Sequence, residues 1–277
     1  MAAARVSDRH RTAFVTGVST GLGRAFAEML LSEGVRVWGT SREAARLAEL
    51  AQRHPDRFTA VTLDLRDSAA AERTFRAADA AAGGFDLVVN NAGFGLLADF
   101  VQIDFAAWRE QLDVMLVEPA RLSHLALAGM LARNRGALVN ISSLAAEFPL
   151  PFQSAYNIAK SGLSALSESL MIETAGTGVV VIDFRPGDYR TDFNRSVSRP
   201  QAHPGPRLTR AWAAFEAMMR SGPPPEHAAA ALRRALVRHR SGTVRAGRFF
   251  QAGFAPFIAR FGSLALKRRV QAKYFDV

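Results

Sequence analysis

The sequence predicts an α/β fold, a doubly wound parallel sheet of about seven strands with helices on both faces. Two observations carry that expectation. Short apolar runs of strand length alternate with amphipathic stretches of helical length along the 277 residues, an order that right-handed crossovers turn into a parallel sheet. The glycine-rich and polar motifs each follow directly on an apolar run, at the carboxyl end of a predicted strand, where such sheets gather their ligands. No compositional break divides the chain, so a single domain is expected over residues 1–277.

Taken in order, the first strand is Thr12 to Thr16, running straight into Gly17, Ser19, Thr20, Gly21, Leu22 and Gly23. A helix pattern with Phe26, Leu30 and Leu31 on its apolar side follows, ended by Gly34. Glycines in that setting let the backbone pass close to a pyrophosphate, which the free N–H groups of the helix then hold. The second strand, Val35 to Thr40, is followed by Ser41 and Arg42. A fold that prefers NAD usually has an acidic residue there, so a hydroxyl beside a guanidinium favours NADP; Glu43 is the one opposing charge. A helix over 43–53 leads to a strand from Phe58 to Leu63 that ends on Asp64 and Leu65, with Asp64 placed to reach an adenine amino group. An Ala-rich helix from Ser68 precedes the strand Phe85 to Asn90, which opens into Asn91, Ala92 and Gly93, small enough for a flat ring to lie against the backbone. A long helix over 105–133, a strand through Ile141, a helix carrying Tyr156 and Lys160, and a strand from Gly178 to Phe184 complete the central pattern. Helices at 208–220 and 225–240 and a short strand from Gly242 to Ala246 close it.

Composition excludes several classes. There is no cysteine, hence no disulfide, thiolate metal site or Cys nucleophile; no metal site is expected, and a cytoplasmic, reducing setting fits. The net charge of +10 is spread over scattered Arg without a basic motif, so nucleic acid is not an expected partner. The N-terminus lacks the apolar core of a signal peptide, and the most membrane-like stretch, Phe249 to Leu266, is interrupted by Gln251, Pro256 and Arg260.

Tyr156 and Lys160 share one face of a helix, so the ammonium can lie beside the phenol. An adjacent cation favours the phenolate and would bring a phenol of pKa about 10 toward proton exchange near neutrality. Ser143 lies at the end of the preceding strand, where its hydroxyl can bond the oxygen that Tyr156 protonates.

With these residues in view the chain resembles a short-chain dehydrogenase/reductase of standard length, over residues 10–247. Four signatures match in order: Thr16-Gly17-x-x-x-Gly21-x-Gly23, Asn90-Asn91-Ala92-Gly93, Ser143 with Tyr156-x-x-x-Lys160, and Pro186-Gly187-x-x-x-Thr191. The resemblance implies a Rossmann fold with Tyr156 as proton donor or acceptor and Ser143 polarising the carbonyl. Lys160 would hold the nicotinamide ribose and lower the Tyr156 pKa, and Thr191 would contact the carboxamide. It also implies a homodimer or homotetramer. The wording of the second strand and the Pro-Phe before Tyr156 is similar to the branch acting on steroids, retinoids and other hydrophobic alcohols and ketones. Phe94, Met115, Leu144, Phe148, Phe152, Asp188 and Trp212 are expected to face the substrate. One departure stands out: the family's usual Asn, which holds a proton-relay water for the Lys, is replaced by Met115, and a thioether cannot do an amide's work. Asp113 and Glu118 are nearby candidates to complete the relay.

Residues 192–225 read as a lid, although Trp212 and Phe215 at helical spacing equally fit simple packing. The aromatic and basic tail, 248–277 with Phe249, Phe250, Phe254, Phe257 and Phe261, either closes the pocket, forms a subunit contact or touches a membrane surface. The expected function is NADP-dependent hydride transfer between nicotinamide and the carbonyl or alcohol carbon of an apolar small molecule. The alternatives are a non-redox isomerase, cyclase or dehydratase using the Tyr–Lys pair, and a non-catalytic NADP-sensing protein.

Overall fold

The computed structural model describes residues 4–191, 193, 197–200, 204–254 and 262–277. Seven strands form one parallel sheet: β1 (Thr12–Val15), β2 (Arg36–Ser41), β3 (Phe58–Thr62), β4 (Leu87–Asn90), β6 (Gly136–Ile141), β7 (Val179–Pro186) and β9 (Gly242–Ala246), in the order β3-β2-β1-β4-β6-β7-β9. The chain winds outward from β1 to β3, returns to β4 beside β1, and then winds the other way. That reversal leaves a crevice at the carboxyl ends of β1 and β4. Two residues each of β5 (Gly95–Leu96) and β8 (Val197–Ser198) pair in parallel outside the main sheet, an addition that their brevity hides in the sequence.

Buried on both faces, the central strands β1, β4, β6 and β7 read as largely apolar runs, as enclosed parallel strands do. On one face α1 (Gly21–Ser32) and α8 (Pro225–Arg238) bury Phe26, Leu30, Leu31, Leu232 and Leu236 against the sheet. On the other, α3 (Ser68–Ala82), α5 (Glu118–Ala132) and α6 (Ser154–Glu173) enclose Phe14, Trp38, Phe75, Phe85, Leu122 and Met130. Among the described residues the remaining α-helices are α2 (Ala48–Arg53), α4 (Phe105–Leu112), α7 (Pro206–Ser221) and α9 (Leu264–Phe275).

The helix expected over 105–133 is not uniform. α4 and α5 are joined without a break by a π-helical turn, Asp113–Val117, in which the Glu118 N–H bonds the Asp113 carbonyl. The run Phe105–Ala132 is long and apolar enough to cross a membrane, yet its α5 part buries Leu122, Ala126, Leu127 and Met130 in the core. Of the expected lid, Asp192 and residues 194–196 and 201–203 lie outside the described residues, as do Phe257, Phe261 and the Phe254 side chain of the tail.

At the amino-terminal edge of the sheet His10, 1% exposed, sits under the carbonyl of Asp86 with the His239 ring 5.3 Å away. Burial, reinforced by His239 and Arg9, pushes His10 down to about 4 despite the opposing pull of Asp86. His239 is lowered by burial and Arg9, and Arg135 holds the Asp86 carboxylate at 3.3 Å. Above pH 6.5 the imidazole is neutral in both folded and unfolded chains. Between about 6.5 and 4 only the unfolded chain takes up the proton, so stability falls as pH drops, by ~3 kcal/mol for this one group. Urea denaturation at pH 7.5 and 4.5 checks this: the loss is expected to be smaller in His10→Gln by most of that amount, and equal losses in the two proteins would exclude the assignment.

Candidate active site

The crevice begins at the end of β1. Gly17 has φ +71°, and a Cβ on it would sit 2.9 Å from the Cα of Ala92. A Cβ on Gly23 would lie 2.1 Å from the Gly17 carbonyl oxygen and 2.4 Å from the Asn91 amide nitrogen, so the turn and the first turn of α1 close only around glycine. The side chain of Asn91 donates to the carbonyls of Thr16 at 2.9 Å and Gly17 at 3.1 Å, while the Thr16 hydroxyl accepts from the N–H groups of Asn91 and Ala92, both at 2.9 Å. β1 and β4 are thereby stitched together at the floor of the crevice. Thr20 at the N-cap of α1 makes no side-chain cap bond, so it leaves first-turn N–H groups to an outside acceptor.

All the residues expected to hold a dinucleotide line one continuous cleft, from Gly17, Ser19, Thr20, Gly21, Leu22 and Gly23 through Ser41, Arg42, Asp64, Leu65, Asn91, Ala92 and Gly93 to Tyr156, Lys160, Pro186, Gly187 and Thr191. A glycine-only cradle, an uncapped helix start and a flat shelf at Ala92 and Gly93 fit a nicotinamide dinucleotide. Arg46 and Arg66, which the sequence reading missed, line the same end of the cleft as Arg42. Glu43 lies 3.9 Å from Arg46, and Asp64 is paired with Arg66, whose guanidinium holds its carboxyl below the usual range. Asp64, expected to face adenine, is thus already engaged.

Ser143, Tyr156 and Lys160 meet in the cleft because β6 ends beside the first two turns of α6. Ser143 caps the short turn Leu144–Ala146, its hydroxyl accepting from the Ala145 N–H at 3.0 Å. Burial raises the Tyr156 pKa above its ordinary value; a hydrogen bond with Ser143 opposes the rise and the Asp188 carboxylate adds to it. Lys160, fully enclosed, donates to the Ile141 carbonyl at 2.7 Å, and its ammonium stands 5.7 Å from the centre of the Tyr156 ring. Burial drives Lys160 itself down to about 8, against the pull of Asp183. The ammonium is tied to a backbone carbonyl, and at the phenol burial outweighs the Ser143 hydrogen bond. A protonated, half-buried phenol bonded to a serine hydroxyl is ready to donate a proton to an oxygen brought against both.

Of the residues expected to face the substrate, Phe94, Met115, Leu144, Phe148 and Asp188 line the cleft, whereas Phe152 and Trp212 do not. Phe152 has φ +61° and packs with Trp212 on the Leu97, Val197 and Phe215 cluster. Trp212 also lies under Arg199, 4.3 Å from its ring centre. Helical spacing places Phe215 and Met219 of α7, not Trp212, toward the cleft. Met115 is 1% exposed, and its Cε stands 2.8 Å from where a Cβ on Gly93 would be. Neither relay candidate replaces the missing amide. Asp113 pairs with Arg109 at 3.0 Å on the surface, and Glu118 is buried against Ser68 and Arg121 on the α3 side. The tail supplies Phe250, Val270, Gln271, Tyr274 and Phe275 to the cleft, contacts between segments too distant in sequence to be anticipated.

A profile of the short chain dehydrogenase family matches residues 11–202. The chain belongs to the short-chain dehydrogenase/reductase family. It is an NAD(P)-dependent oxidoreductase acting on alcohol and carbonyl groups. An uncharacterized oxidoreductase of Myxococcus xanthus is 37% identical over 69% of this chain and 77% of its own length. A protein of Haemophilus influenzae named "probable NADP-dependent dehydrogenase" is 33% identical over 64% of this chain and 70% of its own length. The crystal structure of a short-chain dehydrogenase from Streptomyces avermitilis superposes with a TM-score of 0.80 at 29% identity, covering 97% of both chains. These relatives do not assign this oxidoreductase to the steroid and retinoid branch.

Held by the glycine turn, Asn91 to Gly93 and Thr191, a nicotinamide dinucleotide would supply the hydride chemistry, and the protein's own part would be to move the proton through Tyr156. Tyr156→Phe removes the donor and leaves the cradle intact. It is expected to lower turnover by about 10²-fold or more while cofactor affinity, measured by fluorescence titration, changes little. Turnover near the parent's would show that another group delivers the proton.

Proposed function

We propose that this chain is an NADP-preferring reductase or dehydrogenase of an apolar ketone or secondary alcohol. The observation that carries the reading is a single cleft with an electropositive end and an apolar end on either side of Ser143, Tyr156 and Lys160. At the electropositive end Ser41 takes the place an NAD-selective fold gives to a carboxylate, and Arg42, Arg46 and Arg66 outnumber Glu43 and Asp64. That surplus of charge-assisted donors suits a 2′-phosphate. The name of the Haemophilus influenzae relative supports the same preference.

At the other end Phe94, Leu144, Phe148, Phe193, Phe215 and Met219 form an apolar chamber. α9 closes its outer side from two directions. Gln271 Nε2 donates to the Pro149 carbonyl at 2.8 Å, in the loop after β6, and the Tyr274 hydroxyl donates to Asp188 at 3.1 Å, in the loop after β7. Of the three roles open to the tail, pocket closure is the one these bonds support. The exposed Phe100 and Val101 just ahead of α4 and Phe105 at its start favour assembly of the enzyme with copies of itself. The lack of cysteine suits a cytoplasmic setting.

The cofactor preference is tested by titrating NADPH and NADH separately. NADPH is expected to bind more tightly, and Arg42→Ala to narrow the gap by about 1–3 kcal/mol, the worth of a hydrogen bond to a charged group; equal affinities in the parent protein would refute it. Substrate chemistry is tested with ketones of graded size on the chain lacking residues 263–277. Loss of Val270 and Phe275 from the wall is expected to raise KM for large apolar ketones about 10-fold or more, with cofactor affinity unchanged. An unaltered KM across the panel would show that α9 does not bound the substrate.

A further inference from the structure

β7 carries a carboxylate that the mechanism above has not used. Asp183 is 0% exposed and lies at the centre of a polar group embedded between sheet and helix. Ser142, the neighbour of Ser143, donates its hydroxyl to Oδ1. Ser164, one turn beyond Lys160 on α6, donates to Oδ2 at 2.7 Å, and Arg185 Nε donates to the same oxygen at 2.7 Å. The Arg185 guanidinium then reaches on to Glu147 at 2.6 Å and Glu168 at 2.9 Å, and Glu147 is held in turn by Arg245 at 2.7 Å. Three segments converge on one carboxylate: the end of β6 that delivers Ser143, the face of α6 that delivers Lys160, and the end of β7 that delivers Pro186 and Gly187.

We propose that Asp183 is the positioning residue of the active site, holding these three segments in register and, through its bond to Ser164, placing its carboxylate one helical turn from Lys160. A fully buried carboxylate is costly unless bonded and paired, and here its two oxygens are satisfied by groups on each of the segments it must align. The charged and titratable groups around Lys160 are Tyr156 on its own helix, Asp183 on β7 and, across the phenol, Asp188; those around Asp183 are Arg185 and, through it, Glu147 and Glu168. Asp183 is the group that opposes the effect of burial on Lys160.

The chain makes this directly measurable, because it contains three lysines, Lys160, Lys267 and Lys273. With ¹³C at the lysine ε-carbon, NMR follows each ammonium through its titration without any assay of turnover. It therefore separates failure of this inference from failure of the proposed reaction. Asp183→Asn removes the negative charge at nearly constant shape and is expected to move the Lys160 midpoint to lower pH by about one unit or more. Arg185→Gln removes the cation that competes for Asp183 and is expected to move the midpoint to higher pH. The alkaline limb of ketone reduction should move with the midpoint in each variant. Packing damage would disturb both variants alike, so opposite shifts support the inference; an unmoved midpoint, or two shifts of the same sign, overturns it. Should Asp183→Asn not fold, the sign of the Arg185→Gln shift decides alone, and a shift to lower pH or none overturns the proposal.

Discussion

The carbonyl of Gly17 is approached from two sides at once, by the amide of Asn91 and by the Cα of Gly23, and the rest of the site depends on that crossing. It fixes the end of β1 against the end of β4 and brings the start of α1 close to both. Because the sheet reverses its winding between these two strands, any loosening there would widen the crevice along its whole floor. The bonds involved join backbone to short side chains, Thr16 and Asn91, which have few rotamers to lose on ordering. A cradle tied by such bonds has little side-chain freedom left to lose on binding.

Against that floor the site's charges are arranged in depth. Lys160 is enclosed and anchored to Ile141, Tyr156 lies half-buried above it, and Asp183 stands behind with its own tie to Arg185. Burial works against both ionisations at once, raising the phenol and lowering the ammonium. The same desolvation drives the two groups apart on the pH scale, leaving the phenol the weaker acid of the pair. Asp188 in front adds to the rise of the phenol, and Asp183 behind opposes the fall of the ammonium.

Much of this was legible in the sequence, and the rest was not for a physical reason. The glycine turn, Ser143, the Tyr156 and Lys160 pair and the Pro186-Gly187 turn are local: spacing along one strand end or one helix face places each of them. The strand pattern was equally plain, since parallel strands buried on both faces are mostly apolar, the charged Asp183 and Arg185 of β7 being the exception. What escaped depends on contacts between remote segments. Arg185 meets Glu147 across 38 positions, and Gln271 meets Pro149 across 122. Trp212 was misplaced because a helical repeat shows that a side is apolar without showing what it packs on, and Phe152 because its left-handed backbone turn is not visible in the sequence. The π turn escaped because its composition is that of an ordinary helix.

That π turn has a consequence for how the chain tolerates change. An α-helix advances by 3.6 residues per turn, or about 100° per residue, and a π turn holds one residue more than the α-helix needs. Removing a single residue from Asp113–Val117 would let the helix close into uninterrupted α form. α4 and everything ahead of it would then rotate by about a third of a turn relative to α5, whose apolar side is fixed in the core. Met115 would swing away from Gly93, and the shelf at Ala92 and Gly93 would lose its backing while the sheet behind it stayed whole. The turn acts as a stored unit of rotation, a place where the angular setting of one cleft wall can be changed by a deletion of one codon instead of a rebuilt core.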